Sequence, residues 1–304
     1  MADIDYLFFW QMQCQKVSEI GYGGIFVFKA AVGHGIDPDT LGAIEEALMQ
    51  CEETLAGEIP QAGILIAAID FEHEKILQRI RERYPNIILV GGTSIGEMSS
   101  VMAFQQDSLA LMLFCSDEVN FSVGVGYEAN EDVVAAAKAA ITEATTTGHS
   151  PGSRLKDRLD LKLCYALGDG LGIDGVAMVK GLREATGHTV PILGGLTADD
   201  WQFKRTYQFV STAAQSQVLQ NSIVALTFSG NLKVSYGTAS GQSPIGPRAR
   251  VTKSESNTLY EIDHQPARNF YVHTVGQGHI PVAGGGSWGG AIAVYEPNET
   301  DFYL

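Results

Sequence analysis

Two stretches of this chain end an apolar run in a glycine pair and then present a hydroxyl and an acid. The first is Ile87-Ile88-Leu89-Val90-Gly91-Gly92-Thr93-Ser94-Ile95-Gly96-Glu97, and the second is Val190-Pro191-Ile192-Leu193-Gly194-Gly195-Leu196-Thr197-Ala198-Asp199-Asp200-Trp201. Gly194 follows Gly91 by 103 residues (194 − 91). Each stretch is preceded by another apolar run that closes on an acid, Gly63 to Asp70 and Leu161 to Asp169. Asp70, Glu97, Asp169, Asp199 and Asp200, with the hydroxyls of Thr93 and Thr197, therefore make a candidate site. Gathered carboxylates favour a cation, and an ammonium group donates to two or three carboxylate oxygens. Lys204, Arg205 and Arg248 are the cations near enough in sequence to meet a ligand's own carboxylate, together with the amides of the glycine corners. The expected ligand is thus an amino acid or related amine, whereas a purely anionic metabolite would be repelled. Asp199 and Asp200 stand before no obvious helix that they could cap.

Those residues need a scaffold that brings strand ends together. Ile76, Leu77 and Ile80 fall at helical spacing between the first pair of strands, and Val176, Met178, Val179 and Leu182 do so between the second pair. The pattern is two copies of strand, helix, strand and glycine corner, an internal duplication. It predicts an α/β fold with mixed sheets and the ligand beyond the carboxyl ends of the strands.

Other motifs compete with that site. Gly92-Thr93-Ser94-Ile95-Gly96 fits the spacing of a hydrolase nucleophile elbow, which would make Ser94 the nucleophile, but an elbow should open into a helix. About ten residues separate Gly96 from the next strand, near Ser108. Gly170-Leu171-Gly172-Ile173-Asp174-Gly175 has the spacing of a dinucleotide loop, yet Asp169 and Asp174 would repel a pyrophosphate. A metal-dependent enzyme using the corner carboxylates is a further competing class. The seven histidines lack metal or haem-attachment spacing; His34 alone follows a strand at the same end as the corners, as a ligand contact or a haem ligand. Cys14, Cys51, Cys115 and Cys164 are scattered, which suits a reducing compartment and predicts neither disulfide framework nor structural zinc.

In chain order, residues 1–23 form a leader without assigned function. A strand over residues 25–32 leads to a turn over 33–39 in which Asp37 caps a helix with Pro38 at its first position. An alanine-rich helix near residues 131–144 runs into a linker at 145–158 between the two copies. Later, Gly230-Asn231 reads as a hairpin turn into a strand over residues 232–236, and short strands near 248–253 and 258–263 make a C-terminal antiparallel portion. With 35 acidic and 20 basic residues the net charge is −15, so nucleic acid and anionic membrane surfaces are not expected partners. No apolar run approaches the ~18 residues of a membrane span, and the acids near Met1 do not suit a secretory signal.

Several of these stretches resemble the FIST sensory domain family. They are residues 88–97, residues 192–206 with Gly194-Gly195, Asp199-Asp200 and Phe203, then Gly237 to Lys253 with Pro244, Gly246 and Val251-Thr252-Lys253, and Tyr260-Glu261-Ile262-Asp263 before Pro266-Ala267. The resemblance implies an N-terminal FIST part over residues 24–220 and a C-terminal FIST part over 221–304, and a cytoplasmic, non-catalytic sensor of small molecules such as amino acids. It implies signalling through a separate histidine kinase or cyclic-nucleotide enzyme, since the chain carries no output domain of its own. Some members bind haem and respond to nitric oxide, the alternative that would use His34 or another histidine. The run Ala283 to Gly290 departs from the family pattern, and the chain stops short of the family's last strands, so a truncated C-terminal part is expected.

Overall fold

A computed structural model describes residues 28–146, 160–237, 246–255 and 258–276. The expected leader and the run from Ala283 to Gly290 lie outside the described residues. The described residues divide into two compact units, one up to residue 235 and the other from residue 236 onward.

The larger unit opens with β1 (Phe28–Gly35), α1 (Thr40–Leu55), β2 (Ala62–Ala68), α2 (His73–Arg83) and β3 (Ile88–Ser94). A small hairpin, β4 (Glu97–Ser99) and β5 (Ala103–Gln105), leads to β6 (Leu109–Ser116). The pattern then restarts with β7 (Val119–Gly126), α3 (Val133–Thr146), β8 (Leu161–Gly168), α4 (Gly175–Thr186) and β9 (Ile192–Leu196). A second hairpin, β10 (Gln208–Ser211) and β11 (Ser216–Leu219), precedes β12 (Ile223–Gly230). One sheet has the order β1-β6-β2-β3-β10-β11 and the other β7-β12-β8-β9. The first four strands of each correspond one to one, with β2 and β3 parallel, β8 and β9 parallel, and the returning strand antiparallel between its neighbours. The expected α/β fold with mixed sheets and a duplicated core is present, and each copy is longer than the sequence suggested. It includes the preceding strand and helix and the returning strand.

The boundary between copies is therefore the turn of Asp117 and Glu118, whose Glu118 and Val119 amides donate to the Ser116 hydroxyl at 3.2 and 3.1 Å. The expected linker at 145–158 falls inside the second copy, between α3 and β8. β12, beyond the expected domain end at residue 220, is a central strand of this unit.

Glycines set the helix-to-sheet spacing identically in both copies. A Cβ on Gly33, Gly35, Gly124 or Gly126 would sit 2.0, 1.9, 2.0 and 1.9 Å from the carbonyl oxygens of Ala47, Ala43, Ala140 and Ala136. Strand and helix thus touch backbone to backbone, which only glycine facing alanine allows. For the same reason β1 runs through Gly35 instead of turning at Gly33. The helix cap is Asp39, not Asp37: its carboxylate accepts from the amides of Leu41 and Gly42, both at 3.0 Å. On the helix side, Ala31, Leu65, Leu89, Leu109, Leu111 and Leu113 pack against α1 and α2. On the other side the alternate residues face the second sheet: the Phe114 ring lies 5.9 Å from Phe121 and 5.3 Å from Phe228. The unit is therefore four layers, helices outside two facing sheets. In α4 the buried residues are Met178, Gly181 and Leu182, whereas Val176 and Val179, expected on the same face, are exposed because they lie off the i, i+3, i+4 face that those three define.

The second unit has a small sheet of β13 (Val251–Glu255), β14 (Thr258–Ile262) and β15 (Gln265–Pro266), followed by α5 (Ala267–Val275). The antiparallel portion is as expected; α5 was not foreseen. The strand expected after Gly230-Asn231 does not form, and residues 232–237 are irregular.

Candidate functional site

The two glycine corners meet. Thr93 and Thr197 are buried, and the Ala198 amide donates to the Thr93 carbonyl at 2.9 Å. The Tyr207 amide donates to the Thr93 hydroxyl at 3.1 Å, and the Thr197 hydroxyl accepts from the Gln208 side chain at 2.8 Å. Gln208 also accepts from the Ser222 amide at 3.2 Å, so one buried amide side chain joins three loops. Both threonines are thereby occupied in holding the corner and do not present their hydroxyls to a ligand.

Asp199 is the anchor of the loop beyond it. Its buried carboxylate accepts from the amides of Phe203, Lys204 and Arg205 at 3.0, 2.7 and 3.1 Å. Asp200, Trp201 and Phe203 have φ of 50, 61 and 52°, left-handed backbone that costs free energy in non-glycine residues and persists where surrounding bonds enforce it. Asp199 thus precedes no helix, as expected, but its carboxylate closes a loop instead of being open to a ligand. The loop holds Asp200, Trp201, Phe203, Lys204 and Arg205 at the surface, with the two aromatic rings edge to face at 6.1 Å. Arg205 lies 5.7 Å over the Tyr207 ring.

Asp169 plays the matching part after β8. It is buried and accepts from the amides of Leu171, Gly172 and Asn221 at 2.8, 2.9 and 3.1 Å. Asp70 and Asp200 are exposed. The five acids therefore do not offer one set of open carboxylates: Asp169 and Asp199 are turned onto backbone amides, and Glu97 belongs to another cluster. Arg248 is exposed in the second unit.

That cluster centres on His34. Both ring nitrogens of the fully buried imidazole are engaged, Nδ1 with the Ser99 hydroxyl at 2.7 Å and Nε2 with Ser108 at 3.0 Å. Ser108 donates to Glu97 Oε2 at 2.6 Å and Ser94 donates to Oε1 at 2.5 Å. When Glu97 is ionised the single proton of Ser108 is committed to it, so Nε2 carries the imidazole proton and Nδ1 accepts from Ser99. Burial lowers the pKa of His34, which favours the neutral ring. His34 and Glu97 are thus brought together through Ser108, and no local signal marked Ser99 or Ser108 because they lie 65 and 74 residues from His34.

Two of the expected residue roles meet a different geometry here. His34 has no free nitrogen for iron, so it does not fit a haem ligand. Ser94 leads into the β4–β5 hairpin instead of a helix, so the elbow is not formed. Among the described residues no three His, Cys, Asp or Glu side chains are grouped to hold a metal. Two open surface hollows, of about 460 and 720 Å³, are lined by none of the expected site residues.

Burial pushes the Glu97 carboxyl up to about 7, the hydroxyls of Ser108 and Ser94 only partly offsetting it. Between its ordinary value of 4.5 and about 7 the folded state holds the extra proton, so through this group stability falls as pH rises across that window. The full swing is on the order of 3 kcal/mol. Glu97→Gln should remove it, measured as the difference in urea midpoint between about pH 5 and about pH 8. An unchanged difference in the variant would refute the assignment.

The family pattern of the FIST N domain matches residues 61–265, which takes in both corners and the Asp199 loop. The chain belongs to the FIST family. FIST domains are sensory domains implicated in small-ligand binding and signalling. The matched residues include the β2 to β12 core and reach the second unit of this FIST chain. An uncharacterized protein of Methanocaldococcus jannaschii is 33% identical over 89 residues, covering 29% of this chain and 17% of that protein. The matched region is thus about a sixth of that relative's length. Among the described residues of the FIST chain, no helix is long and apolar enough to cross a membrane.

Proposed function

We propose that this FIST domain senses a free amino acid or related amine at the loop over residues 199–205 and passes the signal to a separate cytoplasmic protein, a histidine kinase or cyclic-nucleotide enzyme. The observation that carries the proposal is the Asp199 carboxylate, which fixes the loop so that an acid, two aromatic rings and two cations stand on one short ridge. Asp200 complements an ammonium, and Lys204 and Arg205 complement a carboxylate. Trp201 and Phe203 supply apolar surface and ring faces that attract cations. The earlier expectation of an amino acid is kept, with its contacts moved from the buried acids to Asp200 and its neighbours.

Titration calorimetry against amino acids, simple amines and dicarboxylates tests this. Amino acids are expected to bind, and Asp200→Asn and Lys204→Ala each to weaken binding by about 1–3 kcal/mol, the usual cost of a lost charge-assisted hydrogen bond. Dicarboxylate binding indifferent to Asp200→Asn would show the reading to be wrong.

A further inference from the structure

The internal duplication exposes an asymmetry. In the first copy the outer edge of β3 is covered by the antiparallel strand β10, with Phe209 opposite Gly91. The ring of Phe209 lies over that glycine, 3.0 Å from where its Cβ would be. β9 is the counterpart of β3: Gly194 stands against Ala166 as Gly91 stands against Leu65, and in each a Cβ would strike the neighbour's carbonyl oxygen, at 1.8 and 2.0 Å. Among the described residues β9 pairs only with β8. Cys164 donates to the Pro191 carbonyl, and Thr197 to the Gly168 carbonyl. The odd-numbered residues of β9 therefore face β8, and Ile192, Gly194 and Leu196 turn N–H and C=O outward. Gly194, Gly195 and Leu196 are exposed, as are Leu171, Val176 and Val179 on the loop and helix that follow β8.

An open sheet edge flanked by apolar side chains is what natural proteins ordinarily cover, charge or break. Residues 189–198 contain no charged side chain, although the chain carries a net charge of −15. For two copies of so acidic a protein, an uncharged edge is where contact avoids like-charge repulsion. An edge strand that pairs antiparallel with itself about a two-fold axis is also self-complementary, as closed dimers require.

We propose that β9 is a dimerisation edge, pairing antiparallel with β9 of a second copy. Gly194 then lies opposite the partner's Gly194 and Ile192 opposite the partner's Leu196. The two four-stranded sheets become one continuous sheet, and the exposed leucines and valines of both copies are buried together. The second copy takes the place on β9 that β10 takes on β3.

Sedimentation equilibrium across the micromolar range decides it. The full chain should be a dimer, and Leu196→Lys should make it monomeric. Val176→Lys, at a position 81% exposed and so harmless to folding, should weaken the dimer in the same direction. Ile59→Lys, 76% exposed on the loop before β2, should leave it intact. A wild-type monomer throughout, or a dimer untouched by both Leu196→Lys and Val176→Lys, overturns the proposal. A monomer whose Gly194 and Leu196 amides resist hydrogen exchange would overturn it in favour of a different occupant of the edge.

Discussion

Alanine at Gly124 or Gly126 should destabilise the domain by about 3 kcal/mol or more, at the top of the range for overpacking. The added methyl group would sit 2.0 or 1.9 Å from a backbone carbonyl oxygen of α3, and backbone cannot rotate aside as a side chain can. To accommodate it, the whole helix has to lift from β7, which separates Ala136, Ala137 and Ala140 from their neighbours in that core. Because the first copy repeats the contact, Gly33→Ala and Gly35→Ala should cost about as much through α1. Gly195→Ala is the control: its Cβ meets nothing within 4 Å, so a change within about 0.5 kcal/mol is expected. Urea midpoints at unchanged slope measure all five. Wild-type midpoints for the four inner glycines would mean that helix and strand are not in backbone contact.

Asp199→Ala should be the most damaging single change in the candidate site, costing about 3 kcal/mol. It leaves the amides of Phe203, Lys204 and Arg205 without their acceptor and withdraws the support for three left-handed residues in four positions. Hydrogen exchange at those three amides should rise well beyond the change in global stability, and any ligand of the loop should be lost with it. Asp200→Asn, on the exposed side of the same loop, should leave the three amides protected. Fast exchange in both variants, or in neither, would contradict the assignment of Asp199 as anchor and Asp200 as contact.

The duplication was legible because it is written in local pattern. Apolar runs, helical spacing and glycine corners recur in order, and each needs only neighbouring residues to be recognised. Its extent was not legible. The strands β1 and β7 share little but Gly33 and Gly35 against Gly124 and Gly126, and what those glycines do depends on helix residues 8 (43 − 35) to 16 (140 − 124) positions away. A side chain from that helix completes the match: Gln50 accepts from the His34 amide and Glu143 from the Val125 amide, each at 2.8 Å. Val176 and Val179 were placed with Met178 and Leu182 from their spacing, and four apolar residues so close together do not say which of two overlapping faces the core covers.

The sequence by itself determined the α/β class, the paired strand–helix–strand units, the acidic surface and the family, since these follow from periodicity, composition and motif order. Only the tertiary structure decided what the acids do. A carboxylate after a strand reads the same whether it faces a ligand or accepts three backbone amides, and the direction is set by loops that return from elsewhere, as Asn221 does to Asp169. The same holds for His34, whose two serine partners arrive from separate segments and leave it enclosed with both ring nitrogens engaged. Hydrogen-bond satisfaction in a buried site is a property of all the chain that converges there, and no stretch of sequence carries it alone.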